Sequence, residues 1–122
     1  MNNKSLNNFS KSQFFSIDIL PEIPTVPGTY VLIFPKCFGR LKGKSNILYI
    51  GKSSKSLRQR LKFYFKPGPT QHTSKRINKF LKENKEIKIS FITNNNPRVL
   101  EKKLLQNYFK DHDEYPPLNR NS

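Results

Sequence analysis

Two short runs of β-branched and aromatic residues, each bordered by a glycine, constrain this chain more than any other feature. Gly28 opens the first, which continues through Thr29, Tyr30, Val31, Leu32, Ile33 and Phe34. The second runs through Asn46, Ile47, Leu48, Tyr49 and Ile50 and closes at Gly51. Residues of these types fit a pleated, buried surface, so both runs read as strands. Their short separation lets them pair as an antiparallel hairpin. Pro21, Pro24 and Pro27 force an extended lead-in, because proline fixes φ and restricts the residue before it. Between the strands, residues 36–44 carry Gly39, Gly43 and four cations, and read as a basic loop.

Beyond the hairpin the apolar period changes. Ser54 or Ser56 can cap a helix running to about Phe65 and stopped by Pro67, Gly68 and Pro69. Leu57, Leu61, Tyr64 and Phe65 recur at helical spacing in it, with Arg58, Arg60 and Lys62 off that stripe. Thr73 or Ser74 can start a second helix with Ile77, Phe80 and Leu81 inward. Ile87, Ile89 and Phe91 alternate with Lys88 and Ser90, the pattern of a half-buried strand. Pro97 suits the first turn of a third helix capped by Asn95 or Asn96, and Leu100, Leu104, Leu105 and Tyr108 define its core side. Glu101 sits beside that stripe. The tail from Tyr115 to Asn119 contains two consecutive prolines and runs extended. The order β-β-α-α-β-α predicts an α/β fold with a small, largely antiparallel three-stranded sheet flanked by helices. Residues 21–122 form that domain. Residues 1–20 form an N-terminal extension, partly disordered, whose apolar stretch from Phe14 to Leu20 can dock as a strand or short helix.

Charge narrows the partners. The 122 residues carry a net charge of +15, and between Lys36 and Lys110 twenty basic residues face only Glu83, Glu86 and Glu101. Self-repulsion on that scale is relieved by a polyanion, whose phosphates release counterions on binding. A merely solvated lysine-rich surface is the plain alternative. Lys42, Lys44, Lys52, Arg58, Lys62, Lys75, Arg76 and Lys79 are the candidate nucleic-acid contacts. Cys37 is the sole cysteine, which excludes an intrachain disulfide and a cysteine metal cluster, and His72 and His112 are too few and too distant for a zinc site. No apolar run approaches a membrane span and no signal-peptide core follows Met1, so the expected location is cytoplasmic.

Gly28, Thr29 and Tyr30 with Tyr49, Ile50 and Gly51 resemble the paired tripeptide signature of the GIY-YIG nuclease superfamily, Thr29 replacing the usual aliphatic. The stretch from Leu48 through Arg60 and Tyr64 is similar to that family's second strand, loop and first helix. Leu100, Glu101, Lys102 and Lys103 resemble its glutamate helix, and Pro116, Pro117, Leu118 and Asn119 its terminal asparagine motif. Within the family, the Pro27-Gly28 lead-in and Gly51-Lys52 look most like the N-terminal incision domain of the excision-repair nuclease. The loop over residues 36–44 is longer than in that group, and Pro97 and Arg98 stand where it has acidic residues.

The resemblance implies a divalent-metal-dependent DNA endonuclease with Tyr30, Tyr49, Arg60, Tyr64, Glu101 and Asn119 at its centre. Glu101 would be the metal ligand, for Mg²⁺ or Mn²⁺. A single carboxylate suits a metal that takes water and substrate oxygen as its remaining ligands. A guanidinium fork suits the scissile phosphate. Arg58 is the rival for that task, and two positions along a helix place the two arginines about 200° apart. Tyr30 and Tyr49 are implied to position the attacking water, one of them accepting its proton with help from Tyr64 or Lys52. Asn119 can anchor the metal shell or the helix of Glu101, or can simply be a turn residue. Two other readings remain: a non-catalytic nucleic-acid-binding module that keeps the fold, and a basic structural protein. Nothing after Asn119 reads sequence, so specificity falls to the basic loop, the N-terminal segment, a homodimer or a larger assembly.

Overall fold

In the computed structural model, which describes residues 6–119, the strands are β1 (Gln13–Phe14), β2 (Gly28–Gly39), β3 (Lys44–Ser53) and β4 (Lys88–Thr93). The helices are α1 (Leu57–Lys62), α2 (His72–Glu83) and α3 (Pro97–His112), and a 3-10 helix over Ile17–Glu22 leads into β2. All pairings are antiparallel, in the spatial order β1-β4-β2-β3. β2 takes the centre because its residues from Gly28 to Leu32 are all buried.

The sheet has four strands rather than the expected three. β1 contributes two residues, Gln13 opposite Ile89 and Phe14 opposite Lys88. Two residues are too short for any periodicity to register, so this strand exists only through its partner. The apolar segment after it docks as well. Phe15 is buried in the core, edge-on to Tyr64 and Phe65.

Residues 36–44 are less of a loop than expected. β2 runs on to Gly39 and β3 begins at Lys44, with Phe38 opposite Ser45, so the turn is confined to residues 40–43. Tertiary contacts extend this hairpin. Phe38 packs on Phe34 and Phe34 on Phe80, while Lys42 N–H donates to the His112 carbonyl at 3.1 Å and Arg40 pairs with Glu114 at 3.0 Å. Nearer the sheet centre, Leu32 faces Tyr49 but Ile33 faces Ile47, leaving Leu48 as the extra residue of a bulge.

Alternation across the sheet makes two cores. Tyr30, Leu32 and Ile89 pack with Leu57, Leu61 and Tyr64 of the α1 region and Ile77 and Leu81 of α2. Val31, Ile47 and Ile50 point the other way, onto Leu104 and Tyr108 of α3. Ser56 caps α1, its hydroxyl accepting from Gln59 N–H at 3.2 Å. α1 ends at Lys62 rather than about Phe65, because Phe63, Tyr64 and Phe65 donate to carbonyls three residues back and tighten the last turn. Pro97 occupies the first turn of α3, after Asn96. Among the described residues no helix is long and apolar enough to cross a membrane.

Candidate active site

Three phenols gather where β2, β3 and the end of α1 meet. Tyr30 lies opposite Gly51 and Tyr49 opposite Leu32, so both project from one face, ring centroids 6.2 Å apart. Tyr64 joins from beyond α1, at 6.1 Å from Tyr30 and 6.3 Å from Tyr49. The two glycines of the paired tripeptides make this approach possible. A Cβ on Gly51 would lie 2.6 Å from the Tyr30 hydroxyl and from the Tyr49 ring. One on Gly28 would lie 2.5 Å from the Ile92 carbonyl oxygen and from Leu57. The spacing read as a motif is therefore a packing requirement.

The hydroxyls of Tyr30 and Tyr64 hydrogen-bond each other, and both side chains are fully buried. Burial pushes both phenols well above their usual range near 10, helped by their neighbouring phenols and only partly opposed by Arg60. They keep their protons at neutral pH. Arg60 stacks over the Tyr64 ring at 5.4 Å. Desolvation works against its charge, but the phenols of Tyr64, Tyr30 and Tyr49 outweigh this and hold it charged.

A cleft of about 450 Å³ opens beside this cluster, with Tyr49 and Lys52 from β3, Arg60 from α1 and Glu101 from α3 in its walls. Glu101 comes from the opposite face of the sheet, on the helix whose Leu104 packs under Ile50. Its carboxyl is raised above the usual range by burial, against the pull of Lys52, Arg60 and Arg98. Among the described residues no three His, Cys, Asp or Glu side chains group as a metal cage. A lone half-buried carboxylate in a roomy, open cleft suits a hard cation that keeps most of its waters, and a cation would relieve the penalty on its charge.

Asn119 is placed elsewhere. Its Oδ1 accepts from Ile50 N–H and its Nδ2 donates to the Ile50 carbonyl, each at 2.9 Å, and Leu118 N–H donates to Leu48 O. The side-chain amide thus imitates a strand and covers the outer edge of β3. Among the described residues its side-chain hydrogen bonds go to Ile50, and not directly to Glu101's helix or to a residue of the cleft wall. Asn119 instead lines a larger cavity of about 640 Å³ with Arg40, Glu114 and Tyr115, which includes none of the phenol cluster, Arg60 or Glu101.

The cationic candidates divide in three. Lys52 is in the cleft itself. Lys42 and Lys44 at the hairpin tip, Lys62 on α1, and Lys75 and Lys79 on α2 are exposed, as a polyanion-binding surface requires, although the Lys75 ammonium donates to the Pro69 carbonyl at 2.6 Å. Arg58 and Arg76 depart from the expectation, because their guanidinium groups are spent on backbone. Arg58 donates to the Ile23 carbonyl at 2.8 Å and to that of Pro21 at 2.9 Å, and Arg76 donates to that of Leu118. The phase argument therefore resolves on Arg60 as the arginine of the cleft. Gln59, Lys55 and Phe63 of the cleft wall, and Thr29 behind it, were missed. Gln59 lines the cleft without a distinguishing sequence signal. Thr29 had one: it is a hydroxyl in an otherwise apolar strand, fully buried and donating to the Pro97 carbonyl at 3.2 Å.

A family model described as the UvrC-like GIY-YIG domain matches residues 35–115. The matched span holds Tyr49, Arg60, Tyr64 and Glu101 and begins after Tyr30. Among solved structures, the chain is similar to the crystal structure of the GIY-YIG N-terminal endonuclease domain of UvrC from Thermotoga maritima bound to its catalytic divalent cation, magnesium. That likeness has a TM-score of 0.53 and 22% identity, covering 98% of this chain and 100% of that one, and it speaks for the fold. Among curated proteins none matches the chain.

Proposed function

The chain belongs to the family of UvrC-like GIY-YIG domains, and on that premise we propose that it is a divalent-metal-dependent DNA endonuclease, hydrolysing phosphodiester bonds in the cleft of Tyr49, Lys52, Arg60 and Glu101. The observation that carries this reading is the convergence of one carboxylate, one always-charged guanidinium and one phenol on a single open cleft, from three separate elements. The net charge of +15 supports a polyanionic substrate. A cytoplasmic location accords with a single exposed thiol, Cys37. Residues 21–122 form the nuclease domain, buttressed by the strand Gln13–Phe14 and by Phe15.

Each side chain has a task in this reading. Arg60 holds the scissile phosphate, kept charged and oriented by its stack on Tyr64. Tyr49, which unlike Tyr30 and Tyr64 lines the cleft, orients the attacking water. Tyr30 and Tyr64, still protonated, steady Tyr49 and Arg60 and are poor bases. Lys52 adds positive charge beside the phosphoryl oxygens. Glu101 would hold Mg²⁺ or Mn²⁺, which when bound supplies Lewis-acid charge for the nonbridging and leaving oxygens. As the water oxygen bonds to phosphorus, the bond to the 3′ oxygen breaks; the attacking water's proton passes to solvent water in the open cleft beside Tyr49, and the departing 3′ oxygen takes a proton from solvent water. Asn119 acts at one remove, fixing Ile50 between Tyr49 and Gly51.

The test is cleavage of supercoiled plasmid with Mg²⁺ by the wild-type chain and by Glu101→Ala. Metal-dependent nicking lost in the variant, with DNA binding retained, is the expected result. Binding without cleavage by the wild type, across Mg²⁺, Mn²⁺ and several DNA forms, would overturn it in favour of a non-catalytic module.

A further inference from the structure

Three aromatic residues in a row, Phe63, Tyr64 and Phe65, follow α1, and the fold sends them to different places. Tyr64 is fully buried, and Phe65 packs edge-on to Phe15 with ring centroids 4.9 Å apart. Phe63 joins neither of them. Among the described residues it has no place in either hydrophobic cluster and no aromatic partner; half-buried, it lines the cleft of Arg60 and Glu101. A ring left at a polar cleft gains by having its face covered, and its own chain supplies nothing to cover it. Helical dihedrals continue through Phe63 (φ −63°, ψ −20°). It therefore stands beside Arg60, three residues back, and Gln59, four back, at about 5–6 Å between Cβ atoms. Gln59 is exposed in the same wall, and its side-chain amide has no hydrogen-bond partner among the described residues. Lys52, Lys55 and Arg60 set three cations against the one carboxylate of Glu101. The group that satisfies this wall has a flat apolar face for Phe63, a polar edge for Gln59 and an attached anion for Arg60. A nucleotide has all three.

We propose that Phe63 is a stacking platform for the base of the nucleotide whose phosphate Arg60 holds, with the Gln59 amide at that base's polar edge. That this phosphate is the scissile one rests on the nuclease reading. The platform itself rests on Phe63, Gln59 and Arg60. A base covers Phe63 only after leaving the stack of its own strand. Extruding a base from a duplex is costly, and least so where it is mismatched or already single-stranded. The site therefore takes DNA with an unpaired nucleotide at the cut: a single strand, a flap or a mismatch in preference to perfect duplex. Stacking is tolerant of sequence, since every base has a π-face. The selectivity it confers is for DNA structure, and it needs no separate unit that reads bases.

The test compares, in EDTA, the affinity of the full chain for a single-stranded oligodeoxynucleotide and for an abasic one of equal length, which keeps every phosphate and loses every base. The ratio of the two affinities is read, so phosphate contacts elsewhere on the basic surface cancel. Phe63→Ala should shrink the wild-type preference for the natural strand about tenfold, the scale of one base–aromatic stack. Affinity for the abasic strand, its salt dependence and the melting temperature should stay as in the wild type. Phe63→Trp should keep or widen the preference, and Gln59→Ala should shrink it by a smaller factor. If Phe63→Ala melts early, Phe63→Leu, with apolar bulk but no π-face, gives the same reading. An unchanged ratio in the Phe63 variants would overturn the platform, as would equal weakening on both strands, the mark of a structural filler. With Mg²⁺, the wild type should cut a duplex bearing one mismatch faster than the perfect duplex, and Phe63→Ala should lose that preference. Equal cutting of both by the wild type would overturn the unpaired substrate. Because the affinities need no metal, the two readings fail separately. A chain that shows the ratio change but never nicks plasmid loses the nuclease and keeps the platform. One that nicks plasmid, with the ratio unchanged in Phe63→Ala, does the reverse.

Discussion

The hydroxyl of Thr29 donates to the carbonyl of Pro97, 3.2 Å away and 68 residues along the chain. This bond ties the buried central strand to the first residue of the helix carrying Glu101, and Asn94 Nδ2 reaches the same hydroxyl at 3.3 Å. Where the family signature has an aliphatic residue, this chain has a latch.

Thr29→Val keeps the shape and strand propensity but leaves the Pro97 carbonyl and the Asn94 amide without that partner. Stability should fall by about 1–2 kcal/mol, the cost of unpaired polar groups in a buried setting. Urea denaturation measures this. Plasmid nicking should fall in parallel, as Glu101 is held less firmly. Unaltered stability would mean that the latch carries no load.

Arg58 and Arg60 should separate stability from activity. Arg58→Ala removes two charged hydrogen bonds to the lead-in and should cost about 1.5–3 kcal/mol, while the folded fraction retains its nuclease activity. Arg60→Ala should lower the cleavage rate by about 10²–10³-fold, the scale for losing one preorganised donor to a developing oxyanion. Single-turnover cleavage and thermal melts on both variants decide it. A cleavage defect in Arg58→Ala as large as in Arg60→Ala would contradict the assignment.

Glu101→Gln should be more stable than the wild type at neutral pH and inactive. Folding raises the Glu101 carboxyl above its ordinary value, chiefly by desolvation. A group raised in this way stabilises the fold fully below its unfolded value, about pH 4.3, and that contribution is lost as pH rises through the folded value. Glutamine stays neutral throughout, so the gain over wild type appears above the folded value and vanishes near about pH 3. Thermal melts at both ends of that range check the sign. Mg²⁺ should narrow the gap by stabilising only the wild type.

Asn119→Ala should release the tail from β3. Both hydrogen bonds to Ile50 are lost, at a cost of about 1–2 kcal/mol. Amide exchange at Ile50 should accelerate, and the segment after Pro117 should become sensitive to protease. Cleavage of DNA should weaken less than in Arg60→Ala, because Asn119 does not line the cleft.

Local pattern alone determined the hairpin, the three helices, the strand from Lys88 and the shared face of Tyr30 and Tyr49. The helices and strands depend on residues two to four apart along the chain, where side-chain direction follows from the period of strand or helix, and the hairpin and its shared tyrosine face need only the pairing of two neighbouring strands. The tripeptide glycines were legible only through the family resemblance, since the groups that exclude a Cβ there, Ile92 and Leu57 at Gly28 and Tyr30 at Gly51, lie far along the chain. Charge density pointed to a polyanion without any structure. Tertiary structure decided what depends on groups far apart in sequence. β1 exists because β4 offers it an edge, and the hairpin extends to Gly39 because α3's far end holds its tip. Arg58 and Arg60 look alike in the sequence, but packing assigned one to the Pro21 and Ile23 carbonyls and left the other in the cleft. Asn119 could have met a metal shell, a helix or a turn, and only the open edge of β3 made it a clamp. Hydrogen-bonding side chains take whichever partner the packed elements leave unsatisfied, and that partner is set by the whole fold.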